Sequence, residues 1–259
     1  LAKEALLAGK AVFVEKPITL DLREANELVE LAEQKRQVLM VGHLLLYHPI
    51  VTAIKSYLDS GQWGEVFYIY STRVNLGTLR TTENALWSLA PHDISVMMYL
   101  TGQSPEVVNA VGNSYIKPDV QDVVFFSLNF SNNIMGHGQA SWLDPHKIRQ
   151  FTIVSRKKMV VFDDTEPKEK LRIYDKGVVD SKEYISYEQQ YTIRDGDIFI
   201  PAIKMVEPLK LECQHFIDCI VDNKKPLTDG INGLEVLKVL TAAQRSLEKG
   251  GMPIKLTDL

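Results

Sequence analysis

Residues 11–20, AVFVEKPITL, open on a short β-branched and aromatic run and close with a glutamate, a lysine and a proline at positions 15–17. The apolar half reads as a buried strand, so Glu15, Lys16 and Pro17 fall at its carboxyl end. Upstream, LAKEALLAGK reads as a helix that stops at Gly9. Downstream, Thr19 or Asp21 can cap a helix over DLREANELVELAEQKRQ, where Leu22, Ala25, Leu28, Val29 and Ala32 recur at helical spacing. VLMVGH then reads as a second strand. Helix, strand, helix, strand with short links is the pattern of a parallel sheet covered by helices. Both strands are apolar throughout, as coverage of both faces requires. Ligands of such sheets sit beyond the carboxyl ends of the strands, which gives charge at positions 15 and 16 a functional reading. Taken alone, the three residues read more readily as an ordinary solvated loop turned by Pro17 than as a site.

After about residue 60 the pattern changes. HPIVTAIKSYLDSGQWG reads as a helix ended by glycine, EVFYIYSTRVN as a long alternating strand, and WSLAPHDISVMMYLTG as an apolar helix. Short strand-like runs follow: EVVNAVGNSY, DVVFFSLNF, IMGHGQASW, RQFTIVS, KMVVFDD and KLRIYD, with turn residues between them. The expectation is an antiparallel meander. Residues 175–205 are the least regular and read as a loop or an arm to a neighbouring subunit. Two amphipathic helices, MVEPLKLECQHFIDCIVDN and NGLEVLKVLTAAQRSLEKG, close the chain. The fold class is therefore α/β plus α+β. The end of a Rossmann parallel sheet occupies residues 1–45. A domain with a large open antiparallel sheet and flanking helices occupies residues 46–259, its closing helix packing back on the first part.

The 259 residues are 45% hydrophobic with a net charge of −4, enough apolar material for a large core and no basic block for nucleic acid. The balance reads as a cytoplasmic protein, and no apolar run reaches the roughly 20 residues of a membrane helix. Cys213 and Cys219, six apart in a helical pattern, read as reduced core or near-core residues without a metal-ligand spacing. The chain opens on Leu1 inside a helical pattern without a preceding cap, and the expectation is that a segment precedes it.

The order of features carries more than any one of them. Glu-Lys-Pro ends one strand, VGH ends the next, and YHP opens a helix. GQWGEV leads into a long strand, PHDISVMMYLTG lies in an apolar helix, and PLTDGINGLEVLKVL comes near the end. This series resembles the Gfo/Idh/MocA family of nicotinamide-dependent sugar and polyol dehydrogenases along essentially the whole chain. The resemblance implies a Rossmann domain, an open-sheet domain, and a substrate held between the sheet and an NAD or NADP cofactor, NAD being favoured. The family's Gly-rich fingerprint is expected before residue 1.

Oxidising a secondary alcohol needs a base for the hydroxyl proton, a donor for the developing alkoxide, and a held carbon. The resemblance places Lys16 and His92 in those catalytic roles. It gives Glu15, Lys16, Pro17 and His43 to the cofactor, with the peptide before Pro17 often cis. Many members carry an aspartate four residues before the histidine; here that residue is Ser88, so the histidine lacks its usual acid and Ser88 is a hydroxyl contact at most. Trp87, Ser88, Trp142, Lys147 and Arg149 are the expected substrate contacts, the last two suiting a phosphate or carboxylate. NALWSLAPHDISVMMYLTG and SWLDPHKIR resemble members that oxidise the 3-hydroxyl of UDP-N-acetylglucosamine-type sugars. A free sugar or polyol such as an inositol is the alternative substrate, and a non-catalytic nucleotide-sugar-binding or assembly protein the alternative class. A homodimer or homotetramer through the sheet is expected, with no nucleic acid, membrane or metal.

Overall fold

A computed structural model describes residues 1–180 and 191–259. Helix α1 (Ala2–Leu7) is followed by Gly9 at φ 71° and by strand β1 (Val12–Glu15). Helix α2 (Leu22–Lys35) starts at Asp21, whose side chain accepts from the backbone N–H groups of Arg23 and Glu24. Strand β2 (Leu39–Gly42) pairs in parallel with β1, Glu15 lying opposite Gly42. Of the expected face of α2, Ala25, Leu28, Val29 and Ala32 are buried in a small core with Leu6, Val12, Leu39 and Val41, and Leu22 packs half-buried against it. Burial of such apolar area, at about 25 cal/mol per Å², holds a helix of this kind to its sheet.

A 3-10 turn (Leu44–Tyr47) leads into α3 (Pro49–Asp59). Pro49 takes a first-turn position where no N–H is needed, and the Nδ1 of His48 accepts from the Ile50 N–H at 3.2 Å. Next come β3 (Val66–Val74), α4 (Ala85–Thr101), β4 (Val107–Asn113), β5 (Val123–Asn129) and β6 (Met135–Ser141). Then follow β7 (Ile148–Ser155), β8 (Met159–Asp163), β9 (Leu171–Asp180), β10 (Tyr191–Phe199), α5 (Pro208–Val221), α6 (Gly230–Glu248) and β11 (Ile254–Lys255).

Nine strands form one sheet in the order β10-β9-β8-β7-β3-β6-β5-β4-β11. The antiparallel expectation is corrected at β3, which lies between β7 and β6 and runs parallel to β6. Parallel neighbours need a long crossover, and α4, β4 and β5 supply it. That pairing is decided far from β3 in sequence, so local alternation does not announce it. The irregular reading of 175–205 is also corrected, because β9 and β10 pair antiparallel at the sheet's outer edge. Arg194, Asp195 and Asp197 put charge on that edge, which disguises the strand and discourages further pairing. The part of that reading on residues 181–190 lies outside the described residues.

Helices α4 and α6 cover one face of the sheet, and α4 is apolar on almost every side. Asn84 caps it by accepting from the Trp87 N–H, and Gly102 ends it at φ 71°. Helix α6 reaches both cores. Val236, Val239 and Leu240 lie in the large one, Leu234 and Leu237 in the small one. Just before it, the Thr228 carbonyl accepts from the Val41 N–H at 2.7 Å, and Thr228 Oγ1 meets the Tyr47 hydroxyl at 3.0 Å. Of the two cysteines only Cys219 is buried; Cys213 is exposed, because six residues turn it to the other side of α5. On the sheet's opposite face Tyr68, Tyr70, Phe125 and Met135 are exposed, with Tyr68 paired across to Met135.

Candidate active site

The parallel strands end beside α4. Lys16 leaves β1 and its Nζ donates to the Ser88 carbonyl at 2.9 Å, a bond spanning 72 residues of chain. Lys16 is half-buried, and loss of water lowers its pKa from the ordinary lysine value, against the upward pull of Glu83. The peptide between Lys16 and Pro17 is cis.

His92 lies one helical turn beyond Ser88 and lines a cleft of about 420 Å³. Its Nδ1 is buried without a hydrogen-bond partner among the described residues. Burial, then the Arg73 guanidinium, then Lys16, hold its pKa well below the usual histidine value. The ring is therefore neutral at pH 7, with one of its two nitrogens free to accept a proton. His43, just past β2, is 1% exposed, and neither of its ring nitrogens has a partner among the described residues. Burial and then Lys16 push its pKa down to about 4.

Asp93 is committed elsewhere. Arg73 of β3 donates to its Oδ1 through Nε at 2.8 Å and Nη2 at 2.7 Å. Asp93 is fully buried and Arg73 is 8% exposed. Burial raises the Asp93 pKa while Arg73 opposes the rise. Arg73 also lines the cleft, so the pair joins the core to the site.

The expected site residues divide. Lys16, Ser88 and His92 come together, and Trp142 and Arg149 line the same cleft. Ser88 meets Lys16 through its backbone carbonyl. Trp87 and Lys147 are not among the lining residues. The Trp87 indole N–H donates to Gln244 Oε1 on α6 at 3.1 Å, and Lys147 is exposed. A Cβ on Gly42 would stand 3.2 Å from Glu15 Oε2, so the glycine leaves room for that carboxylate. Near Glu15 lies Glu212 of α5, whose pKa burial, then Glu15, pushes up to about 7.

Three charged cleft residues are absent from the sequence expectations: Arg73, Arg80 and Asp164. Arg73 had a signal, since an arginine in an apolar strand and an aspartate in an apolar helix point to a buried pair. Arg80 sits in a loop and Asp164 in a turn, and neither had one. Asp164 is surrounded by His48 Nε2 at 3.6 Å, Lys170 Nζ at 3.6 Å and Arg149 Nη1 at 3.8 Å. His48 first, then the cations, hold its carboxyl at about 2. Among the described residues no group of three or more His, Cys, Asp or Glu is arranged to hold a metal, and no helix is long and apolar enough to cross a membrane.

Comparison with known proteins gives two family matches. Residues 1–43 match the oxidoreductase family with an NAD-binding Rossmann fold, and residues 51–161 match the GFO/IDH/MocA C-terminal domain, together more than half of the chain. The chain is 24% identical to UDP-N-acetylglucosamine 3-dehydrogenase of Acidithiobacillus ferrooxidans, over 96% of this chain and 74% of that protein. It is 25% identical to scyllo-inositol 2-dehydrogenase (NAD(+)) of Bacillus subtilis, over 96% of this chain and 71% of that one. The fold also resembles an inositol dehydrogenase homolog from Azotobacter vinelandii, with TM-score 0.79 and 15% identity over 98% of this chain and 74% of the other.

Proposed function

We propose, from the premise that this chain belongs to the Gfo/Idh/MocA family of NAD-binding oxidoreductases, that it moves a hydride between a secondary alcohol of a sugar or polyol and the nicotinamide. The observation that carries this reading is the 2.9 Å bond from Lys16 to Ser88, which joins a Rossmann strand end to the helix bearing His92. In this reading residues 1–45 belong to the NAD-binding domain and residues 46–259 form the substrate domain.

The residues fit the nicotinamide half of NAD on one feature. His43 stands at the carboxyl end of β2 with two buried ring nitrogens unpartnered among the described residues, close enough to Lys16 to feel its charge. Glu15, Lys16, Pro17 and His43 would hold that half, and bound NAD supplies the hydride acceptor. The chain's own residues do the rest. Lys16, held by the Ser88 carbonyl, offers its ammonium to the reacting oxygen and stabilises the charge that develops there. Neutral His92 takes the hydroxyl proton. Buried Trp142 gives the cleft a rigid apolar wall.

Our first reading of the substrate is a UDP-N-acetylhexosamine oxidised at its 3-hydroxyl. The similarity to the Acidithiobacillus enzyme and the guanidinium groups of Arg80 and Arg149 in the cleft support it. A free polyol such as an inositol is the second reading. It is favoured by the existing partners of those arginines, Glu83 at 2.7 Å and Asp164 at 3.8 Å, which compete with a phosphate. The full-length gene product mixed with NAD and UDP-N-acetylglucosamine is expected to raise NADH absorbance. Turnover of inositol without turnover of the UDP-sugar selects the second reading. Tight nucleotide-sugar binding without turnover of any sugar would replace the enzyme by a binding or assembly protein.

A second copy of the chain is the proposed cover for the sheet's open face, where Tyr68, Tyr70, Phe125 and Met135 form an apolar strip. Sedimentation at micromolar concentration is expected to give twice or four times the monomer mass, and a monomer would overturn the proposal.

A further inference from the structure

We propose that Asp164 accepts a hydrogen bond from a hydroxyl of the substrate's sugar ring and so helps to set substrate specificity. This inference rests on the sugar or polyol dehydrogenase reading above. Asp164 lines the same cleft as Ser88 and His92, at the turn after β8, and its side chain is 26% exposed.

Its cationic and N–H neighbours stand 3.6 to 3.8 Å from the carboxylate oxygens. Those separations keep the group ionised but lie beyond hydrogen-bond range. Lys170 donates instead to the Asp164 backbone carbonyl. The Nδ1 of His48 accepts from the Ile50 N–H, which puts that ring's own proton on Nε2, facing Asp164. The carboxylate is thus a fixed anion with strong acceptor sites still to be used. Arg149 and Lys170 beside it repel a metal ion or an amine, and its own charge repels a phosphate. A neutral O–H donor is left, and a charged acceptor makes its strongest neutral-donor bonds in a site of this kind.

The test uses the full-length gene product with NAD, a substrate it turns over, and a panel of that substrate's singly deoxygenated analogues. Asp164→Asn is expected to raise the substrate KM about 10- to 100-fold, the range for losing a hydrogen bond to a charged group. The kcat and the KM for NAD should change by less than about threefold. For one deoxygenated analogue, wild type and variant should then show the same KM, because the bond is already gone. A KM increase that is uniform across the panel, a loss confined to kcat, or no change at all would overturn the proposal. If Asp164→Asn does not fold, Asp164→Glu keeps the charge, displaces the acceptor, and must reorder KM values within the panel; an unchanged order sinks the idea. Failure of the wild type to oxidise any sugar or polyol overturns the dehydrogenase reading and this inference with it, whereas active wild type with an indifferent variant overturns this inference alone.

Discussion

Lys16→Met is expected to lower kcat/KM by about three orders of magnitude, the combined scale of a lost charge stabiliser and disturbed proton transfer, while the Kd for NAD moves by less than about tenfold. Methionine keeps the length and apolar stem of lysine and removes only the ammonium. Two contacts vanish with it, the 2.9 Å bond to Ser88 and the proposed bond to the reacting oxygen. The pH profile separates the possible roles of the ammonium. If Lys16 acts as a cation, kcat/KM falls as pH rises through its lowered pKa, and that falling limb disappears in Lys16→Met. If Lys16 is itself the proton acceptor, the rate rises through the same region and His92 loses the role given to it. Steady-state rates near wild type in Lys16→Met would remove the residue from the chemistry altogether.

Asp93→Asn should cost about 3–5 kcal/mol of stability, because it leaves the buried Arg73 guanidinium without its counter-charge. For a chain of this length that corresponds to a fall in Tm of roughly 6–20 °C. Arg73 donates twice to one oxygen of Asp93, and the amide oxygen of asparagine can accept those bonds without cancelling the charge. The compensating pair Arg73→Met with Asp93→Leu should recover most of the loss, since a buried ion pair replaced by packed apolar groups is often neutral. That double variant still removes a guanidinium from the cleft, so its stability should return while its substrate KM does not. Thermal unfolding followed at pH 7 checks the first claim; a Tm within about 2 °C of wild type in Asp93→Asn would show that the pair carries little.

The sequence makes some of this legible and hides the rest for physical reasons. The helical spacing of Ala25, Leu28, Val29 and Ala32 identifies α2, and Asp21 marks its start, because helix periodicity and capping are local. The placement of β3 beside β6 depends on strands some 60 residues apart, so alternation within Val66–Val74 gives no sign of it. Residues of β10 hide behind their own charges. At the site, Lys16, Ser88 and His92 come together as the order of motifs implies. Trp87 illustrates the limit. It neighbours Ser88 in the chain, yet on α4 one residue is a rotation of about 100°, and its indole meets Gln244 on α6. Asp164 lies in a turn and gains meaning only from His48, Arg149 and Lys170, which arrive from three separate parts of the chain.

The bond from Val41 to the Thr228 carbonyl, together with the Tyr47 to Thr228 contact across 181 residues, has a consequence for biosynthesis. While the chain is being made, β2 has left the ribosome long before Thr228 is translated. At 5–20 residues per second that interval is roughly 10–40 s. Throughout it the backbone N–H of Val41 lacks its final acceptor, and the small core of α2 lacks Leu234 and Leu237. The nascent N-terminal part therefore waits, incompletely covered, for α6 to be synthesised. A ribosome stalled before Thr228 would present a chaperone or a protease with this unfinished core.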